Sequence, residues 1–500
     1  MTARPGPVPS DDRAGTGVPG LDDVLCGGLV RDRVYLLEGA PGAGKTTLGL
    51  QFLLEGARCG ERCLYVTLSE TAAELREGAA SHGWSLDGIE LFELAPPESL
   101  LDPDQEQSLL YSSDLELGEV TRALAGAMER TRPGRVVLDS LSELRLLAQG
   151  SLRYRRQILT LKHYFARQHA TVLLLDDLTA EPGDKTVHSI AHGVIRLDEV
   201  AAEYGPERRR LRVLKYRGTR FRGGNHDFTI NTGGVELFPR LISAEHHTGF
   251  SRDRLGSGNA ALDALLGGGV ERGTSTLVLG PAGIGKSILT LSFAASAVQR
   301  GERVLMTLFD EEIGLVVARA RALGFEMDAM LESGRLVVEQ VDAAEVSPGA
   351  FAHNIRAHVE SGVRTVVIDS LNGYQQAMPG EHFLALHMHE LLQFLNRQSV
   401  STFVTVAQHG LVGDMETPVD VTYLADNVIL LRYFEAVGRI RRAISVIKKR
   451  AGPHETAVRE FRIVPGGLHV GEPLSQFQGV LRGVPTYVGQ GAALMADGGE

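Results

Sequence analysis

Short, uninterrupted apolar runs alternate with longer mixed stretches along this chain, and the alternation is played through twice. In the first half the runs at 34–37, 63–68, 136–138 and 172–175 are rich in Val and Leu and are bounded by glycine or charge. Runs of that kind predict strands buried on both faces, as in a parallel sheet, whereas a half-exposed strand alternates apolar and polar positions. The segment 45–58 follows a glycine loop and is predicted as a helix, giving the order strand, glycine loop, helix, strand, helix, strand. The fold class is therefore α/β, with a mostly parallel central sheet flanked by helices. After each such block the pattern changes to basic residues alternating with β-branched ones, at 210–216 and 442–448, followed by FTI or FRI. That change predicts antiparallel hairpins at the sheet edge. The acidic stretch 98–119 holds Pro103 and shows no clear helical period before Val120, so a surface loop is expected there.

The two halves are copies of one another. GAPGAGKT at 39–46 recurs as GPAGIGKS at 280–287, and Leu21, Asp22 and Arg31 answer Leu262, Asp263 and Arg272 at the same displacement. ERCLYVTLSE answers ERVLMTLFDE, Gly83 answers Gly324, and RVVLDSLSEL from Arg135 answers RTVVIDSLNG from Arg364 at a shorter displacement. One domain has been duplicated, and the first copy carries the longer insertion. A length of 500 residues suits two such domains. The expected organisation is a disordered leader at 1–12, a first domain at 13–247, a second at 248–485 and a flexible tail at 486–500. The linker should fall in the polar stretch 244–254.

The repeated glycine loops fit the pattern GxxxxGK[ST]. Its glycines let successive backbone N–H groups curl around an anion, and the helix that follows presents its positive N-terminus to the same point. A nucleotide triphosphate, ATP with Mg²⁺, is the guest such a loop takes. The first cradle comprises Pro41, Gly42, Ala43, Gly44, Lys45, Thr46 and Thr47; the second comprises Ala282, Gly283, Ile284, Gly285, Lys286, Ser287 and Ile288. Lys45 and Lys286 would reach the β- and γ-phosphates, and the hydroxyls of Thr46 and Ser287 would join the metal shell. Asp139 and Asp369 each end an apolar run where a carboxylate can hold metal-bound water, which makes them Walker B candidates. Hydrolysis or phosphoryl transfer also needs a group to orient the nucleophile. The carboxylates after the second strand are Glu70 in the first copy and Asp310 with Glu311 in the second, Asp310 serving also as a candidate metal ligand. Ser69 stands in the place of Asp310. The catalytic reading is favoured over the alternative that such acids only stabilise a helix N-terminus.

Bulk properties narrow the function classes. A net charge of −11 gives no general attraction for nucleic acid, and no run of about 18 apolar residues exists to span a bilayer. The first residues lack the cationic-then-apolar pattern of a secretory signal, so the cytoplasm is expected. Cys26, Cys59 and Cys63 have no zinc-site spacing and read as buried free thiols. The pairs His246-His247 and His387/His389 fit no recognised ligand frame, and Trp84, which answers Phe325, reads as a packing residue.

The two-copy layout, ERRRLRVLKYRGT at 207–219, RRAISVIKKRAGPHETAVREF at 441–461 and the late GVPT together resemble the KaiC-like family of RecA-type ATPases, from about Gly15 to Val488. The resemblance implies a six-membered ring with ATP between subunits. Lys215 and Arg217 of one subunit would reach the neighbour's first-domain nucleotide, and Arg442, Lys448, Lys449 and Arg450 would do the same in the second domain. Ser81, Tyr216 and Thr219 match further nucleotide contacts. In that family the first ring hydrolyses ATP and the second phosphorylates adjacent Ser and Thr residues at the interface. Here the paired glutamates are replaced by Ser69-Glu70 and Asp310-Glu311, and the acceptor pair by Thr422-Tyr423. Thr422 is thus an autophosphorylation candidate and, equally, an ordinary β-branched strand or turn residue. The resemblance implies a hexameric ATPase and serine/threonine autokinase that signals to partner proteins. Two other readings stand beside it: a RecA/RadA-like DNA-dependent ATPase, and a nucleotide-gated scaffold with negligible turnover. The tail after Thr486 is short and rich in Gly and Ala, so a circadian role is not expected.

Overall fold

A computed structural model describes residues 12–94, 112–178, 185–201, 205–242, 253–342, 344–376, 384–408, 423–482 and 485–488. The chain divides into two compact units, one of Met1–Ala202 with Pro206–Arg240 and one of Glu203–Gly205 with Leu241–Glu500.

Unit one is built from β1 (Val34–Gly39), α1 (Lys45–Arg58), β2 (Cys63–Thr67), α2 (Ala72–Ser81), β3 (Ile89–Glu93), α3 (Ser112–Thr131), β4 (Arg135–Asp139), α4 (Leu141–Ala148), α5 (Ser151–Arg167), β5 (Thr171–Asp176), α6 (Thr186–Ile190), β6 (Gly193–Val200), β7 (Arg208–Tyr216), β8 (His226–Asn231) and β9 (Gly234–Phe238). Its nine-stranded sheet runs in the order β3-β2-β4-β5-β1-β6-β7-β8-β9. The first six strands in that order are parallel and the last three join antiparallel. β1, β4 and β5 are buried at every position. Successive side chains serve opposite faces: Tyr35 and Leu37 pack with Phe52 of α1, while Val34 and Leu36 pack with Phe165 of α5. Both faces therefore carry a core, which is why these strands read as continuous apolar runs.

Unit two repeats the plan with β10 (Ser275–Gly280), α7 (Lys286–Gln299), β11 (Arg303–Leu308), α8 (Ile313–Ala322), β12 (Leu336–Gln340), α9 (Pro348–Glu360), β13 (Val363–Asp369), α10 (Leu371–Gln376), α11 (Leu384–Arg397), β14 (Ser401–Ala407), β15 (Asn427–Ala436), β16 (Arg439–Lys449), β17 (Arg459–Val464) and β18 (Gly467–Pro473). The order β12-β11-β13-β14-β10-β15-β16-β17-β18 is that of unit one, strand for strand. α7 is buried along most of its length, and its Phe293 stacks on Phe403 of β14 with ring centroids 4.5 Å apart.

Several expectations shift. Helix α3 starts at Ser112, ahead of the expected onset at Val120. Leu117, Val120, Leu124 and Met128 form its apolar stripe against the core, a spacing that the acidic residues between them disguise. Of the three cysteines only Cys63 is buried, its thiol pushed up to about 11 by burial. Cys59 caps the exposed C-terminus of α1 and Cys26 lies in a turn at φ 55°, so both are exposed. Trp84 packs on the core beside His82, at 4.9 Å between rings. Thr486–Tyr487 pairs with Phe477–Gln478 rather than beginning a tail. Residues 1–11 of the expected leader, most of the linker stretch, His246, His247 and Thr422 lie outside the described residues.

Candidate functional site

In each unit the open, carboxyl end of the parallel strands carries the glycine loop. Gly42 and Gly44 take φ of 83° and 95°, Gly283 and Gly285 take 72° and 117°, a backbone region that only glycine enters without strain. A Cβ on Gly44 would also fall 2.6 Å from Ile230. Ala43 and Ile284 turn into their cores, while Pro41, Gly42, Ala282 and Gly283 line the exposed rim. Each loop thus offers its backbone outward and anchors itself by one apolar side chain. Thr47 and Ile288 lie in the first turns of α1 and α7.

In unit one the buried Lys45 donates to the carbonyls of Gly39 and Ala40, both at 2.9 Å, and pairs with Asp177 at 2.8 Å. Thr46 donates to Asp139 at 3.2 Å, and the same carboxylate oxygen accepts the Tyr65 hydroxyl at 2.5 Å. Burial raises the Asp139 carboxyl, the bonds from Tyr65 and Thr46 pull it back, and Asp177 pushes it up again. The Glu70 carboxyl is raised by desolvation and by the fields of Asp139, Glu74 and Asp177. The P-loop lysine and hydroxyl are therefore each met by a carboxylate, Lys45 by Asp177 and Thr46 by Asp139.

Unit two differs in its acids. Lys286 donates to Gly280 and Pro281 at 3.0 and 2.9 Å, and among the described residues no carboxylate pairs with it. Its ammonium is lowered by burial and partly restored by Asp369. Asp369 accepts the hydroxyl of Thr405. Asp310 accepts Ser370 Oγ at 2.6 Å, which draws it beside the end of β13. Gly373 permits this approach, since a Cβ there would meet Asp310 Oδ1 at 2.5 Å. Glu311, by contrast, is held by both terminal nitrogens of Arg319. Of the two acids, Asp310 is the one that the fold brings to the Walker B position. Ser287 is the first-turn residue answering Thr46.

The cations expected to act on a neighbour are organised alike in both units. Lys215 donates to the carbonyls of His188 and Ala191, and Arg217 to Ser189 at 2.6 Å. Lys448 donates to Ala425 at 2.8 Å, and Arg450 reaches Tyr423 O at 3.1 Å and Asp426 at 3.3 Å. Tyr216 and Lys449 are different. Tyr216 is buried, its hydroxyl donating to Gly28 O and accepting from Arg13 and Val30. Lys449 is wholly buried between Leu266 O, Gly269 O and Glu271. Those two side chains serve their own core, leaving only backbone to meet a ligand. Arg442 stacks over Tyr433 at 5.9 Å, Thr219 is half-buried, and Ser81 is exposed with its hydroxyl on Gly78 O.

Asp177, Tyr65, Ser370 and Thr405 each touch a predicted site residue and belong to no motif legible in the sequence. Glu38, equally unmarked, is 2% exposed behind the first loop and binds His188 at 2.7 Å and Arg196 at 2.8 Å. Comparing strand ends between copies supplies a signal for two of these: Asp177 and Glu38 answer Ala407 and Leu279.

A doubly repeated parallel sheet in this order, with a lysine-bearing glycine loop after the central strand and an aspartate ending the strand two places away, defines tandem RecA-like P-loop nucleotide-binding domains. The profile of the family described as "ATPase: KaiC" matches residues 14–242 and again 255–475, and the chain belongs to that KaiC ATPase family. It is 29% identical over 494 residues to the circadian clock protein KaiC3 of Synechocystis sp., covering 95% of each chain. It is 28% identical to KaiC2 of the same organism, covering 96% of this chain and 82% of the relative. To the circadian clock oscillator protein KaiC of Thermostichus vulcanus it is 27% identical, covering 95% of this chain and 92% of the relative. Among the described residues no helix is long and apolar enough to cross a membrane.

Proposed function

We propose that the chain is an ATP-hydrolysing switch in which ATP binds at both P-loops between the subunits of a hexameric ring, and in which unit two also acts as a serine/threonine autokinase. The observation that carries this reading is the shared tethering of Lys215/Arg217 and Lys448/Arg450 to corresponding backbone carbonyls beside the last parallel strand. Cations fixed in that way are preset to meet a phosphate supplied from outside their own P-loop, and a cation given in trans stabilises charge on the transferring phosphoryl group. Thr46 with Asp139, and Ser287 with Asp369 and Asp310, offer the hydroxyl and carboxylate oxygens that Mg²⁺ prefers. Among the described residues no cluster of three or more His, Cys, Asp or Glu forms a dedicated metal cage, which suits an ion that arrives with its nucleotide. When bound, the ion would neutralise phosphate charge. Asp310 would orient or deprotonate the attacking hydroxyl, with Thr422 as the acceptor and signalling proteins of the cytoplasm as partners.

Purified protein incubated with γ-labelled ATP tests the kinase. Label should enter the parent chain and be absent from Thr422→Ala and Asp310→Asn; label that persists in both variants would sink the assignment. Native mass measurement with and without ATP and Mg²⁺ tests the ring.

A further inference from the structure

Building on the reading of unit one as an ATP site, we infer that Asp177 is its nucleophile-orienting carboxylate, taking over the work that Ser69 cannot do. The two units have exchanged the strand from which this acid comes. Unit two keeps Asp310 after β11 and has Ala407 at the end of β14; unit one has Ser69 after β2 and Asp177 after β5. The pairing registers make the second comparison direct. Glu38 is opposite Asp176 in unit one, and Gly280, one residue beyond the equivalent of Glu38, is opposite Ala407 in unit two.

Asp177 is placed for the task. Its Oδ1 lies 2.8 Å from Lys45 Nζ, the group that a P-loop aims at the β- and γ-phosphates, and Ser142 reaches Oδ2 at 3.5 Å. Its neighbour Asp176 is tied to Arg145 at 2.8 Å and accepts from the same Ser142 hydroxyl at 3.4 Å. Glu70 has its backbone held by Thr67, at 2.9 Å through its N–H and 2.8 Å through its carbonyl. With ATP bound, Lys45 passes to the phosphates and leaves the Asp177 carboxylate at the edge of the γ-phosphoryl group. There it accepts a proton from water as the water oxygen bonds to the γ-phosphorus. The bond from phosphorus to the bridging oxygen breaks, ADP leaves with that electron pair, and the proton returns to the released phosphate.

The alternative is a counterion that only stores Lys45 until nucleotide arrives. The full chain carrying Lys286→Ala, which confines turnover to unit one, separates the two. ADP release and binding of the non-hydrolysable analogue AMP-PNP are measured for Asp177→Asn, Asp177→Ala and the double change Ser69→Asp with Asp177→Ala. A general base accounts for a rate factor on the order of 100 or more. The expected result is a loss of kcat of about that size in both single variants, AMP-PNP affinity within about threefold, and recovery of at least about tenfold when Ser69→Asp recreates the arrangement of unit two. Turnover equal to the parent in Asp177→Asn, particularly with tighter AMP-PNP binding, would overturn the inference, as would a parent that binds AMP-PNP without hydrolysing ATP. Absence of AMP-PNP binding in the parent would instead remove the ATP-site reading beneath it.

Discussion

Arg135 is 1% exposed at the start of β4, yet each terminal group has a partner. It donates to Glu61 at 2.8 Å, to Gly15 O at 2.6 Å and to Phe52 O at 2.9 Å, and lies over the Phe52 ring at 4.8 Å. Burial alone would raise the Glu61 carboxyl, but the bonds from Arg31 and Arg135 outweigh it and bring the pKa down from 4.5 to about 2. A carboxylate depressed in the folded state contributes stability that is fully present above its unfolded pKa and is lost as the pH falls through the folded one. Over the window from 4.5 down to 2 the contribution, on the order of 3 kcal/mol, should fade. Amide exchange of β4 as a function of pH checks this: the parent should lose protection across that window, while Glu61→Gln should begin about 3 kcal/mol weaker and stay flat. Equal pH dependence in both would show that Glu61 is not the titrating group. None of this network was apparent in the sequence, where Arg135 reads only as the residue before an apolar run. Burial of an arginine is decided by who its partners are, and these come from places as far apart as Gly15 and Glu61.

At the scale of elements, α6 is only five residues long and has no side-chain cap. Its own helical bonds are too few to hold it. What fixes it is His188 on the buried Glu38, together with Lys215 and Arg217 donating to its carbonyl end. Leu279 and Leu430 occupy the positions of Glu38 and Arg196 in unit two, so this anchor belongs to unit one alone. Glu38→Gln removes the charge that both His188 and Arg196 bind. The amides of 186–192 should then exchange about tenfold faster, the equivalent of about 1.4 kcal/mol of lost local stability. Unchanged exchange would mean that the cations alone hold the helix. The long elements were legible from sequence because apolar runs and glycine loops mark them, α1 among them at Lys45–Arg58. Helix α6 and the early part of α3 were not. The first depends on tertiary contacts and the second carries its apolar stripe among acids.

For the molecule as a whole, the duplication made the architecture readable: each strand order confirms the other, and both loops sit after the central strand. The candidate lysines and hydroxyls were visible because their spacing is local to a motif, and the candidate Walker B acids because each ends an apolar run that both copies repeat. Asp177 was not, since its approach to Lys45 is created by the pairing of β1 with β5. The proposed function requires two separate ATP sites per chain, each depending on its own P-loop lysine. Titration calorimetry with AMP-PNP and Mg²⁺ counts them directly. Two nucleotides per chain are expected in the parent, one in Lys45→Ala, one in Lys286→Ala and none when both are changed; a parent that binds none, or a doubly substituted chain that still binds, would rule out two P-loop sites.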